Sequence, residues 1–122
     1  MKDCLVVDDS TVIRKVARRI LEGLGFQVAE AEDGEQALDA CRRHMPEAVL
    51  LDWSMPNMDG YEFLRALRRM PDGDRPKVMF CTSENDVAQI AHALHAGANE
   101  HIMKPFDREI MIAKLQEVGL VG

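Results

Sequence analysis

Residues 48–60 read Ala48-Val49-Leu50-Leu51-Asp52-Trp53-Ser54-Met55-Pro56-Asn57-Met58-Asp59-Gly60. Four apolar residues in a row are too few for a helix and suit a strand buried on both faces. A carboxylate and a turn-rich segment end the run, and from about Asp59 the apolar positions Phe63, Leu64 and Leu67 fall at helical spacing until Met70-Pro71-Asp72-Gly73 stops them. The unit recurs, with apolar runs at residues 4–7, 27–31 and 78–81 and a weaker fifth at 101–103. The first helical stretch places Ile13, Val16, Ala17, Ile20, Leu21 and Leu24 on one face and Arg14, Lys15, Arg18 and Arg19 mostly on the other, between a Ser10 N-cap and a Gly25 terminator. The second begins near Asp33-Gly34, carries Ala37, Leu38 and Cys41 inward and is ended by Pro46. The fourth spans roughly residues 85–96 and is closed by Gly97; the last starts at Asp107 and ends near Gly119. Five strands alternating with five helices predict a parallel sheet covered on both faces with right-handed crossovers, a doubly wound α/β domain.

The whole sequence has 122 residues, which suits one domain spanning residues 1–122. Fifteen Lys plus Arg against 21 Asp plus Glu leave a formal charge of −6, which argues against a nucleic-acid backbone as partner. No apolar run approaches the ~18 residues of a spanning helix, and the N-terminus lacks the pattern of a signal peptide, so the expectation is a cytoplasmic protein without membrane insertion. Cys4, Cys41 and Cys81 are odd in number and set among apolar residues, which reads as reduced core thiols.

In such sheets ligands gather beyond the carboxyl ends of the strands. Asp8 and Asp9 stand there after the first strand, Asp52 after the third, Thr82 and Ser83 after the fourth, and Lys104 and Pro105 after the fifth. A carboxylate before a helix has a plain explanation in the helix dipole. Three converging on one edge repel one another unless a cation offsets them, and all-oxygen ligands suit a hard divalent ion such as Mg²⁺. With a metal in place, one carboxylate can act as nucleophile toward a phosphoryl group whose oxygens Lys104, Thr82 and backbone N–H groups would meet. Asp52 ends the most central strand and stands alone, so it is the expected nucleophile, and the Asp8-Asp9 pair is left for the metal.

Val6-Val7-Asp8-Asp9-Ser10, the stretch from Leu50 through Gly60, Cys81-Thr82-Ser83 and Met103-Lys104-Pro105-Phe106 resemble the receiver domain of two-component response regulators, CheY-like proteins in particular. The resemblance covers essentially the whole chain. It implies a flavodoxin-like sheet of order 2-1-3-4-5 and Mg²⁺ held by Asp9, Asp52 and the Ser54 backbone carbonyl, with Asp8 supporting through water. Asp52 would accept phosphate from a histidine kinase or phosphotransfer protein, and Thr82 and Lys104 would contact the phosphoryl group. The Lys104-Pro105 peptide would be cis. The downstream protein target would bind the fourth helix, fifth strand and fifth helix. With no output domain after residue 122, the receiver itself would carry the signal as a chemotaxis regulator or a phosphorelay shuttle, and would catalyse only its own phosphorylation and dephosphorylation. A phosphotransferase or phosphatase acting on a diffusible substrate is the weaker reading, because Ser54 stands where dehalogenase-type enzymes place a second Asp.

The family's switch aromatic, three residues before the lysine, is His101 here. Two readings stand: a half-exposed strand histidine without a special role, or a ring that moves with Thr82 and makes the switch sensitive to pH near 6.5. Ser54 and Glu84 occupy the positions that tune acyl-phosphate lifetime in the family. Gly60 is expected to permit a tight turn before the third helix, Met79 and Met103 to fill the core, and His92 and His95 to face solvent. Arg14, Lys15, Arg18 and Arg19 are read as a solvated face or as the kinase-docking face of the first helix.

Overall fold

The computed structural model describes residues 2–83 and 87–122. In chain order the elements are β1 (Asp3–Val7), α1 (Thr11–Gly23), β2 (Gln27–Ala31), α2 (Gly34–Arg43), β3 (Ala48–Asp52), α3 (Gly60–Arg69), β4 (Lys77–Thr82), α4 (Val87–His95), β5 (Glu100–Met103) and α5 (Arg108–Glu117). The five strands form one parallel sheet ordered β2-β1-β3-β4-β5, as expected for a flavodoxin-like domain.

Alternate residues of each strand feed two cores. Leu5, Val7, Val49, Leu51, Val78 and Phe80 pack with Ala37, Leu38 and Cys41 of α2, Phe63, Leu64 and Leu67 of α3 and Ala93 of α4. Cys4, Val6, Leu50, Met79, Cys81 and Ile102 pack with Ala17 and Leu21 of α1 and Met111 and Leu115 of α5. Both faces being covered is why the central strands read as unbroken apolar runs. All three cysteines are buried free thiols. Burial pushes the Cys4 thiol up to about 12 and Cys41 up to about 11, so both stay protonated and inert.

The helices start where capping side chains await them. Ser10 accepts from the Ile13 N–H (3.3 Å), Asp33 from Gln36 (2.9 Å), and Asp107 from Ile110 (2.8 Å). Asp59 and Glu62 form a reciprocal capping box on α3. Gly25, Gly97 and Gly119 follow their helices at φ of 93°, 117° and 80°. The Lys104-Pro105 peptide is cis.

Two expectations change. Arg14 faces inward, 7 % exposed, while Val16 is 42 % exposed. Arg14 lies three residues before Ala17 and seven before Leu21, on the same helical stripe, and the apolar periodicity of α1 fits more than one frame. Met103 is 37 % exposed, since β5 is an edge strand. At Gly60, before α3, the chain comes into close approach: a Cβ there would lie 2.7 Å from the Asp52 carbonyl oxygen and 2.9 Å from the Trp53 Cα. Glu84 and the expected start of the fourth helix lie outside the described residues.

Candidate functional site

The register of the sheet brings Asp52 beside Cys81 and Thr82 beside Met103, so the carboxyl ends of β1, β3, β4 and β5 form one rim. Asp8 is held on every side. Its N–H donates to Ala31 O (3.1 Å), Oδ1 accepts from the Ser10 N–H (2.9 Å), and Oδ2 meets Lys104 Nζ (2.8 Å). Lys104 also lies 3.1 Å from Asp52 Oδ1, so one ammonium bridges the two buried carboxylates. Asp9 is exposed, and one carboxylate oxygen from each of Asp8, Asp9 and Asp52 lies within 4.8 Å of the others.

Asp52 is 6 % exposed, and burial together with the neighbouring Asp8 charge pushes its carboxyl up to about 6. Lys104 and the Ser54 N–H pull the other way. Burial alone would lower Lys104, yet the Asp8 and Asp52 carboxylates hold its ammonium above the usual value. The physical content is an excess of negative charge that one lysine does not cancel. An oxygen-donor set with this deficit of positive charge fits a divalent hard cation.

Beside Asp52 opens a cavity of about 280 Å³ lined by Asp52, Trp53, Ser54, Thr82, Ser83 and Lys104 among others. Trp53 walls it, its ring packed on Phe80 (5.2 Å between centroids) and edge-on to Tyr61 (6.1 Å). The loop from Ser54 to Asp59 is tied down at both ends. Gly60 N–H donates to Trp53 O (3.1 Å), and the Asn57 amide, in a left-handed turn at φ 66°, reaches Asp33 (3.3 Å). A larger groove of about 660 Å³ lies at the other end of the sheet, around Phe26 and Val28, away from the acidic rim.

Thr82 is 7 % exposed, and its Oγ1 lies 2.8 Å from His101 Nε2. The His101 ring packs on Phe80, centroids 4.8 Å apart. His101 is therefore directly joined to the hydroxyl of a residue that lines the cavity beside Asp52. The residues singled out in the sequence thus come together: Asp52, Ser54, Thr82 and Lys104 line one opening, Asp8 and Asp9 cluster with Asp52, and His101 bonds Thr82. Two contacts were not foreseen. His92 on α4, exposed as expected, also packs its ring against Tyr61 (4.3 Å), and Arg14 donates from Nη1 to the Asp8 carbonyl (2.7 Å). The second was legible in part: Arg14 shares the Ala17–Leu21 stripe, and Glu30 at the end of β2 offers it an acid.

The fold and this rim define a class, and comparison with known proteins agrees. Residues 4–116 match the model of the response regulator receiver domain, and the chain belongs to that family. It is 38% identical over 112 residues to the response regulator MprA of Mycobacterium sp. (strain KMS), covering 92% of this chain and 48% of that protein. A match at 38% to the ycf27 protein of Guillardia theta covers 93% of this chain and 44% of the relative. The chain thus spans about half the length of the curated relatives it matches. Among solved structures, Vibrio cholerae chemotaxis protein CheY4 superposes with a TM-score of 0.92 at 30% identity, over 97% of this chain and 98% of that one. A CheY-like receiver domain protein of Methanospirillum hungatei JF-1 gives 0.87 at 29% identity, over 97% and 93%. The protein is a receiver domain of two-component signalling, and among the described residues no helix is long and apolar enough to cross a membrane.

Proposed function

We propose that the chain is a phosphorylation-activated switch in which Asp52 accepts a phosphoryl group from a histidine kinase or phosphotransfer protein, with Mg²⁺ held by Asp9, Asp52 and the Ser54 carbonyl and with Asp8 in support. The observation that carries this reading is the Asp8–Lys104–Asp52 bridge, 2.8 and 3.1 Å, beside a third carboxylate within 4.8 Å. Bound metal would supply the positive charge that the three carboxylates lack and would screen an approaching phosphoryl group from them. Asp52 then presents a buried oxygen as nucleophile, and Lys104 and Thr82 meet the charge that arrives. Ser54 offers no carboxylate two residues after Asp52, so the chemistry supported is the domain's own phosphorylation and dephosphorylation rather than turnover of a diffusible substrate.

A phosphoryl group adds a charge of roughly −2. Drawing Thr82 toward it strains the Thr82–His101 bond, and the response reaches the face built by α4, β5 and α5, where Val87 (77 %), Leu94 (43 %), Met103 (37 %) and Ile110 (40 %) are exposed. This apolar face is the proposed surface for a partner protein. The likeness to CheY4 favours a role in motility control in the cytoplasm; a phosphorelay shuttle is the alternative.

The test is titration with Mg²⁺ and then beryllofluoride, a phosphoryl mimic, while following the fluorescence of Trp53, the chain's one tryptophan. The expected result is a saturable change at each step in the parent and loss of the second step in Asp52→Asn. A silent parent, or an equal response in the variant, would remove Asp52 from the acceptor role.

A further inference from the structure

Asp9 is the exposed member of the acidic rim, and its side chain makes no hydrogen bond or ion pair among the described residues. Its carboxylate is therefore aimed by its backbone. The peptide unit that precedes it is planar, so the direction of the Asp8 carbonyl fixes the plane from which Asp9 departs. That carbonyl accepts from Arg14 Nη1 at 2.7 Å.

Arg14 is itself fixed from two further sides. Its Nε donates to Glu30 Oε1 at the end of β2 (2.9 Å), and Nη2 reaches Thr11 Oγ1 (3.3 Å) with Glu32 at 3.8 Å. Arg18 holds the other Glu30 oxygen (2.7 Å), and the two guanidinium groups keep the Glu30 carboxyl below its usual range despite partial burial. The guanidinium fork thus locks α1, β2 and the Asp8–Asp9 peptide into one rigid unit. A planar fork that donates to three separate acceptors at once is what arginine supplies and lysine does not.

We propose that Arg14 is a positioning residue for metal binding: it orients the Asp8–Asp9 peptide so that the Asp9 carboxylate points at Asp52. This rests on the metal reading given above and adds a residue to it. Two effects of Arg14 oppose each other. Its positive charge near the rim repels a cation, so an influence through charge alone predicts tighter Mg²⁺ binding when the charge is removed. Orientation predicts weaker binding, and the loss of a residue behind a metal ligand typically weakens affinity about 10- to 100-fold. The Glu30 and Glu32 carboxylates already offset the guanidinium charge, so orientation should win.

The experiment is Mg²⁺ titration by Trp53 fluorescence in the parent, Arg14→Met, Arg14→Lys and Arg18→Ala, with thermal melts of each metal-free protein. Arg14→Met should weaken Mg²⁺ binding about tenfold or more, and Arg14→Lys should fall between it and the parent. Arg18→Ala removes a Glu30 partner without touching Asp8 and should bind Mg²⁺ as the parent does. Parent-like or tighter binding by a folded Arg14→Met overturns the inference, as does an equal loss in Arg18→Ala. If Arg14→Met fails to fold, parent-like affinity in Arg14→Lys overturns it instead. A parent that gives no saturable response overturns the metal reading first, an outcome distinct from a parent that binds and variants that bind equally.

Discussion

His101 sets beside Thr82 a ring that can carry a proton, and its surroundings decide what that does. Burial and Lys114 on α5 push its pKa below the ordinary 6.5, while Glu100, whose carboxylate accepts the His101 backbone N–H (2.8 Å), pulls the other way. Lys114 in turn pairs with Glu100 (3.5 Å) and Glu117 (3.7 Å). Because the folded chain takes up this proton at lower pH than the unfolded chain, the contribution to stability is complete above about pH 6.5 and is lost as pH falls through the folded value. The neutral ring can accept from the Thr82 hydroxyl, whereas the protonated ring can only donate to it, which frees the hydroxyl proton. His101→Phe keeps the contact with Phe80 and removes the titration. Urea unfolding from about pH 7 to pH 5 should therefore show a shallower loss of stability in the variant than in the parent. Parallel curves would show that His101 contributes nothing to the pH response.

Among the elements, α4 is the one held most lightly: of its nine residues only Ala93 is buried. One end is pinned from a neighbouring helix. Arg68 of α3 donates from Nε and Nη2 to Gly97 O (3.1 and 2.7 Å), from Nη1 to Gly73 O and Pro76 O (2.9 Å each), and from Nη2 to Asn99 Oδ1 (3.1 Å). Asn99 in turn accepts the Val78 N–H of β4 (2.8 Å). The turn that leads into β4 and the turn from α4 into β5 thus converge on one guanidinium, at the end of the sheet away from the acidic rim. The His92–Tyr61 stack makes a second attachment along the helix. Arg68→Ala leaves several carbonyls without their donor and should cost about 2–3 kcal/mol. Hydrogen exchange should rise more in α4 than in α1 or α2; an even rise across the helices would mean that α4 is fastened elsewhere. The elements themselves were legible because strand runs, caps and terminating glycines are local patterns. Arg68 was not, since its hydrogen-bond partners are nearly all main-chain carbonyls that no sequence pattern marks. Arg14 was misread for a related reason: its stripe on α1 is shared by small and apolar residues, and its partners on β1 and β2 become visible only once the strands are side by side. The acidic rim was legible because each member stands at the carboxyl end of a strand, and parallel order alone brings strand ends together.

At the scale of the molecule, two apolar cores carry a polar rim that works against them. Three carboxylates gathered at one edge of the sheet are a concentrated part of a formal charge of −6, and one lysine bridges two of them. Burial and Asp8 outweigh Lys104 at Asp52, since its carboxyl titrates at about 6 rather than below its ordinary 3.8. A shift of that size corresponds to roughly 2–3 kcal/mol by which the fold disfavours the ionised form. At pH 7.5 without metal, Asp52→Asn should therefore be more stable than the parent, by about 1–2 kcal/mol once the lost Lys104 contact is allowed for. Lys104 keeps Asp8 as its partner in the variant, which is why the substitution should relieve more than it removes. Mg²⁺ should reverse the order. Ligand that binds only the folded chain adds about 2.7 kcal/mol at one hundred times its dissociation constant, and the variant, with one fewer carboxylate, should gain much less. Urea unfolding of both proteins in chelator and in excess Mg²⁺ should show the two stability ranks crossing. A variant less stable than the parent in chelator would mean that the lysine bridge dominates the rim and that the metal-free site is already neutralised.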